Sequence, residues 1–546
     1  TVLNYRLLRW SDDNGIISDA QFGFKPGHST TDAIFALTSL VSLYLKKKKK
    51  LYCCFVDYRK AFDSVNRNKL LYKLATNGVT GKLLSIIKHI YCELKSCVRY
   101  KSELSNYFSS TTGLMQGEAL SPFLFSLYIN DFEMDLIRSC CEPVDFRDLS
   151  LFLLMYADDT VLIANSRESL QGMLNQLYQF SNDWNIGVNT DKTKIVVFRH
   201  AGRMCKNDFW TYDQKHVEVV NCFNYLGINL NFNGNFNVTQ KTIAMQGRKC
   251  MFGILKLCNE TYLNIETKLS IFDTYVSSVL NYGSEIWGFH SGDEIERVHT
   301  NFCKRILKVK KCTSNFMVYS ELGRLPMSII RKLRIIKYWL KLIKTENCIL
   351  RNVYEEMVSQ LIPNTWCFNV RELLVSLGMH EVWLSQNVAN TNVFLKIVKQ
   401  RLSDFFIQER DAFFESSSKC LLYKYLPDTF SLQFYLSKNI PENLVVLLTK
   451  YRLSSHMLLV EQGRYNGTVR SMRICKYCNL GEVEDEFHFI LICPFYKSLR
   501  VLYLKKYYWS RPSMFKLVQL LAIHNRKQLC HLAMFLREAG KKRDVG

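Results

Sequence analysis

Leu-Phe-Leu-Leu-Met-Tyr-Ala-Asp-Asp-Thr-Val-Leu-Ile, residues 151 to 163, is an apolar run broken by two adjacent carboxylates and then resumed. It reads as a strand-turn-strand hairpin with Asp158 and Asp159 at its tip. A second apolar run, Leu51-Tyr52-Cys53-Cys54-Phe55-Val56, is a strand that ends on Asp57 in the same way. Ionised carboxylates at the rim of a sheet core are costly unless paired or bound to metal, and several together repel one another unless cations sit between them. Two divalent ions held about 4 Å apart by such acids are what in-line phosphoryl transfer requires. A lone Asp at a strand end is most often a solvated turn residue, and Asp57 by itself would be read so. Beside Tyr156-Ala157-Asp158-Asp159 it is not.

Composition points to the same class of substrate. The 546 residues carry 72 Lys plus Arg against 49 Asp plus Glu, a formal charge of +23 spread over the whole length. A polyanionic partner is the economical reading, although charge alone is weak support because many basic proteins bind no nucleic acid. With 48% hydrophobic residues the chain can bury a large core and should form several domains. No apolar run approaches the ~18 residues of a membrane span, so no membrane association is expected. The 19 cysteines include the pairs Cys53–Cys54 and Cys140–Cys141 in core segments, which suits reduced thiols and an intracellular location. Thr1 in place of an initiating Met suggests a fragment.

There is no internal repeat. Ser29-Thr30-Thr31-Asp32 resembles a capping box ahead of a helix with Ile34, Leu37, Val41 and Tyr44 on one face. Lys46 to Lys50 form a charge run, read as a solvated helix-to-strand loop before a phosphate contact. Further helices are expected around Lys69 to Ala75, from Ser121-Pro122 through Asp131, and along Leu170, Leu174, Leu177 and Trp184, with a strand from Lys194 to Arg199. Beyond about Gln240 the pattern becomes helical, aromatic and basic, so a mixed α+β body precedes a mostly helical remainder.

The order of these blocks resembles the reverse transcriptase of LINE-type, non-LTR retrotransposons. Phe55-Val56-Asp57-Tyr58-Arg59-Lys60-Ala61-Phe62-Asp63-Ser64-Val65 looks like that family's first catalytic motif, and Tyr156-Ala157-Asp158-Asp159 like its second. Gly113-Leu114-Met115-Gln116-Gly117-Glu118-Ala119-Leu120-Ser121-Pro122 is similar to its template and nucleotide-binding motif. Gln21-Phe22-Gly23-Phe24 resembles the block before the first Asp, Asn189 through Lys194 the lysine-bearing motif, and Tyr225-Leu226-Gly227 the primer grip. Six blocks in order over Gln21 to Gly227 are far more specific than one Asp-Asp pair.

The resemblance implies an α+β right-hand polymerase of fingers, palm and thumb, followed by a mainly helical C-terminal region with a small zinc knuckle. It implies Asp57, Asp158 and Asp159 as catalytic acids, with Asp57 and Asp158 holding two Mg2+ ions, a metal suited to carboxylate and phosphate oxygens. Phe62, beside Ala61, falls where the family places a steric gate that excludes a ribonucleotide 2′-hydroxyl; the plain alternative is a core phenylalanine. Gln116 and Gly117 would lie near the incoming base and template, or form an ordinary turn. Glu118-Ala119 departs from the Asp-Pro found there in many relatives, which puts the loop's shape in question. Lys192 would protonate pyrophosphate, or be a surface charge. The family's earliest finger motif, which contacts the triphosphate, is expected upstream of Thr1.

Downstream, Cys475-Lys476-Tyr477-Cys478 with His488 and Cys493 makes C-x2-C-x9-H-x4-C. Three thiolates and one imidazole form a closed structural Zn2+ site without an open position for chemistry. The alternative is chance, with Cys493 in a helix core and His488 on the apolar stripe Phe487, Phe489, Ile490. The family commonly carries such a knuckle, and Arg464, Arg470, Arg473, Lys476 and Tyr477 would add contacts for single-stranded nucleic acid.

The expected domains are fingers and palm over 1–235, a helical thumb over 236–330, a basic helical region over 331–470, the knuckle over 471–500 and a helical tail over 501–546. The expected function is RNA-directed DNA polymerisation at a nicked target, with an RNA template, a DNA primer and deoxynucleoside triphosphates as partners, in nucleus and cytoplasm. The stretch after Pro494 is short of the ~100 residues usual for a domain, so an endonuclease is expected upstream. The alternative is a decayed or repurposed nucleic-acid-binding protein that keeps the palm without turnover.

Overall fold

The computed structural model describes residues 2–92, 94–139, 141–200, 208–261, 263–290, 292–426 and 430–545. Two compact units are present: Thr1–Thr239 with Glu285–His290 and Ile335–Ala389, and Gln240–Ser284 with Ser291–Arg334 and Asn390–Gly546. Among the described residues no helix is long and apolar enough to cross a membrane.

The first unit is built on a five-stranded sheet. Strands β1 (Leu51–Val56), β2 (Leu153–Tyr156), β3 (Asp159–Ala164), β4 (Lys194–Phe198) and β5 (Glu218–Val219) lie in the order β5-β4-β1-β3-β2. The central β1 is antiparallel to β3 and β4, β2 is antiparallel to β3, and β4 runs parallel to β5. All six residues of β1 are buried, as a strand covered on both faces demands. The β2 strand is shorter than its apolar run, because Leu149–Leu151 pairs with Val144–Phe146 in a separate small hairpin.

Helices α1 (Thr30–Lys46), α2 (Arg67–Thr76), α3 (Ser121–Ile129) and α4 (Arg167–Trp184) surround the sheet. The expected capping box starts α1, where Asp32 accepts the Ser29 backbone N–H at 2.7 Å. Asn66 caps α2 and Ser166 caps α4, each through its side chain. Lys46 to Lys49 are exposed after α1, as a solvated loop should be.

The compact units cut across the boundaries read from the chain. Ile335–Ala389 belongs with the first unit, and specific contacts explain it: fully buried Asp32 holds Tyr338 at 3.0 Å and Lys341 at 2.5 Å, and Phe35 meets Trp366 edge-on at 5.1 Å. Neither the knuckle nor the tail stands alone. Both lie in the second unit, where Glu484 binds Arg543 through two oxygens at 2.7 and 3.0 Å and Phe489 faces Phe535. That unit is helical, with a buried Glu321–Arg452 pair at 2.6 Å in its interior.

Candidate active site

Strand register brings the acids together. Val56 pairs with Thr160 across β1 and β3, so one step further Asp57 and Asp159 leave adjacent strands opposite each other. Tyr156 pairs with Asp159, which makes Ala157 and Asp158 the two central residues of a tight hairpin turn. Ala157 has φ +57, the first-position conformation of a type II′ turn, so Asp158 is held at the apex. Burial, followed by the charges of Asp158 and Asp57, raises the Asp159 carboxyl to about 6. Convergent like charges of this kind fit a divalent cation, and hard carboxylate oxygens fit Mg2+.

Two supports were not legible as such in the sequence. The side-chain carbonyl of Gln21 accepts the backbone N–H groups of Ala157 at 3.0 Å and Gly23 at 2.8 Å, while Gln21 itself bridges to Met155 on the free edge of β2. Gly23 lies so close that a Cβ there would sit 2.1 Å from the Ala157 nitrogen. On the other side, the Asp57 backbone N–H donates to Thr193 Oγ1 at 3.1 Å and its carbonyl accepts from Asn189 at 2.7 Å. Lys192 is in the turn so anchored, with its side chain exposed.

Ala61 is buried at the start of a short helical turn, and Phe62 is half-buried, its ring stacked on Phe125 of α3 at 4.6 Å. The nucleotide-motif loop is zipped to this turn: Leu114 N–H donates to the Phe62 carbonyl, and the Gln116 amide donates to Asp63 at 3.2 Å. Gly117 has φ +88 with open space where a side chain would be, which leaves its backbone approachable. Buried Arg67 fixes the loop's root through the carbonyls of Gly113 and Thr112, both at 2.9 Å. The unusual Glu118 has a local role, accepting from Tyr91 at 2.8 Å and Ser121 at 3.3 Å.

Strands β6 (Cys222–Tyr225) and β7 (Ile228–Asn231) form the hairpin that carries Tyr225, Leu226 and Gly227. Leu226 and Gly227 both have positive φ, +46 and +83, the pattern of a type I′ turn. Tyr225 is buried, Leu226 half-buried and Gly227 exposed at the tip.

Residues 2–230, the stretch that contains all of these groups, match the family model described as reverse transcriptase (RNA-dependent DNA polymerase). This stretch is thus similar to a reverse transcriptase domain. The chain is 26% identical over 305 residues to a probable RNA-directed DNA polymerase from transposon X-element of Drosophila melanogaster, covering 54% of this chain and 32% of that protein. It is 24% identical over 317 residues to the RNA-directed DNA polymerase from mobile element jockey of Drosophila funebris, covering 56% and 33%. The chain thus spans about a third of the length of these relatives. Apo telomerase from Candida tropicalis aligns over 73% of this chain and 59% of that one, at 13% identity and a TM-score of 0.35.

Beyond the matched stretch, Cys475, Cys478, His488 and Cys493 bring four ligand atoms within 4.8 Å of one another. A backbone bridge between Ile474 and Val483, with Cys475 N–H on the Glu482 carbonyl, folds the first two cysteines into a hairpin. His488 opens a π-helical turn whose end returns Cys493 N–H to the His488 carbonyl at 2.8 Å. Cys475 and Cys493 sulfurs are 4.0 Å apart, and Cys478 Sγ lies 3.4 Å from His488 Nε2. Bonds of about 2.3 Å to sulfur in a tetrahedron place ligand sulfurs roughly 3.8 Å apart, so this donor set fits Zn2+. Glu482 meets the other ring nitrogen of His488 at 3.1 Å, as an outer partner of a metal-bound imidazole does. The expected basic contacts are partly engaged elsewhere: Arg464 holds Glu461, Arg470 holds Asp485, and Arg473 holds the carbonyls of Val460 and Thr468. Lys476 is exposed, and Tyr477 is half-buried against Phe495.

Proposed function

We propose that this chain extends a DNA primer on an RNA template, as part of a non-LTR element that copies its own RNA at a nicked DNA target. The observation that carries the reading is the register that places Asp57 opposite Asp159 beside the Asp158 turn, within a reverse transcriptase domain.

Asp57 and Asp158 would hold two Mg2+ ions, which activate the primer 3′-hydroxyl and stabilise the leaving pyrophosphate when bound. Asp159 adds negative charge beside them. Phe62, stacked on Phe125, presents its remaining ring surface as the gate against a 2′-hydroxyl, and Ala61 sets its backbone. Gln116 and Gly117 position template and incoming base, the amide steadied by Asp63. Tyr225, Leu226 and Gly227 seat the primer end. Lys192, tied through Asn189 to the Asp57 backbone, supplies a proton to pyrophosphate.

Cys475, Cys478, His488 and Cys493 would hold one structural Zn2+ that fixes a nucleic-acid-binding surface, with Lys476 at its edge. An endonuclease domain of the same protein would supply the nick, and the work would take place in nucleus and cytoplasm. The intact acids speak against a retained palm without turnover.

The test is extension of a DNA primer annealed to RNA by the full chain, with Mg2+ and deoxynucleoside triphosphates. Template-directed product is expected. Extension on DNA templates alone, or none on either, would contradict the reading.

A further inference from the structure

Tyr225 is the last residue of β6, 2% exposed, and its hydroxyl has no hydrogen-bond partner among the described residues. Its ring meets Phe55 at 5.5 Å, and Phe55 in turn stacks on Phe223 at 4.3 Å. Side chains alternate along a strand, so Cys53, Phe55 and Asp57 share one face of β1. Asp159, opposite Asp57 across an antiparallel pair, falls on that face too. The hairpin therefore rests on the acid-bearing face, and Asp159 is the charge that acts most strongly on the Tyr225 hydroxyl.

A buried hydroxyl without a partner is destabilising, and phenylalanine would fill the same space without that cost. Burial, followed by the charge of Asp159, holds the hydroxyl above the ordinary tyrosine range, so it stays protonated and able to donate. Cys53 and Tyr156 act on it in the same direction, after Asp159.

We propose that Tyr225 is a positioning residue whose hydroxyl donates to Asp159 when the metal site is filled, coupling the hairpin that carries Leu226 and Gly227 to the geometry of the acids. The inference rests on the reverse transcriptase reading. It makes the primer hairpin part of the metal site and not only a surface for the primer.

The experiment compares the full chain with Tyr225→Phe, which keeps the ring and removes only the oxygen. Mn2+ serves as the probe, its binding followed by electron paramagnetic resonance, alongside primer extension. The expected result is Mn2+ affinity weakened roughly tenfold, the scale of one hydrogen bond to a charged group. The turnover number should fall similarly, with KM for deoxynucleotide unchanged and the thermal midpoint of the metal-free chain unchanged or raised, because the variant loses an unpaired buried hydroxyl. Unaltered Mn2+ affinity and turnover in the variant would overturn the coupling while leaving the polymerase reading intact. A loss confined to template-primer affinity would also overturn it, by returning Tyr225 to a simple gripping role. A parent chain that binds no Mn2+ and extends no primer would overturn both.

Discussion

Gln21 and Ala157, 136 positions apart, are joined by a 3.0 Å hydrogen bond from the Ala157 backbone to the Gln21 side-chain carbonyl. The same oxygen takes the Gly23 N–H, so one buried amide holds the acid-bearing turn against the segment beside it. Gln21→Ala leaves both donors without that acceptor, at about 1–3 kcal/mol for each buried group left unpaired. Urea unfolding should show the loss, and primer extension should fall with it. Gly23→Ala should be worse, because its Cβ would meet backbone and not a movable side chain.

Phe62 is half-buried and stacked on Phe125. Phe62→Ala is therefore expected to cost less than the ~3–5 kcal/mol of a fully buried phenylalanine, and to raise ribonucleotide use relative to deoxynucleotide. Competition between the two nucleotides on one template measures it. General loss of activity with unchanged discrimination would assign Phe62 to packing alone.

The full chain should carry one tightly held Zn2+, and Cys478→Ser should release it. Because the cluster is tied into the second unit through Glu484–Arg543 and Phe489, chelation is expected to lower the thermal midpoint of the whole chain and not just unfold a short peptide. Extension of a preformed primer-template should survive. Elemental analysis below half an equivalent of zinc would refute the site.

Glu321 and Arg452 are buried at 0% and 3% exposure. Glu321→Ala strands a guanidinium in the core and should destabilise by about 3–5 kcal/mol, whereas replacing both partners by apolar residues of similar volume should cost less than either single change. Chemical denaturation of the three variants gives the comparison.

What the sequence disclosed follows from how local its signals are. The runs Leu51–Val56 and Val161–Ile163 announce buried strands, and the Ser29–Asp32 cap announces a helix, because neighbouring residues decide both. Register was not legible, since nothing local says that Val56 meets Thr160 rather than a residue one step away. Gln21 looked like part of a block without a role, because its partner is distant in the chain. The break at Arg331 misled for the same reason: the residues that draw Tyr338 and Lys341 into the first unit are on α1, around Asp32. The cluster of Cys475, Cys478, His488 and Cys493 was readable from spacing, but its burial within a larger body was not, because Arg543 and Phe535 come after it.

Asp57, Asp158 and Asp159 are proposed to form one metal-dependent centre for RNA-directed DNA synthesis. Asp158→Asn removes a ligand charge at the turn apex with little change of shape. Primer extension on RNA by the variant should fall on the order of 10³-fold, the scale of losing a charge that stabilises a phosphoryl-transfer transition state, while template-primer affinity stays at the parent value. A variant that keeps most of the parent rate would contradict the account.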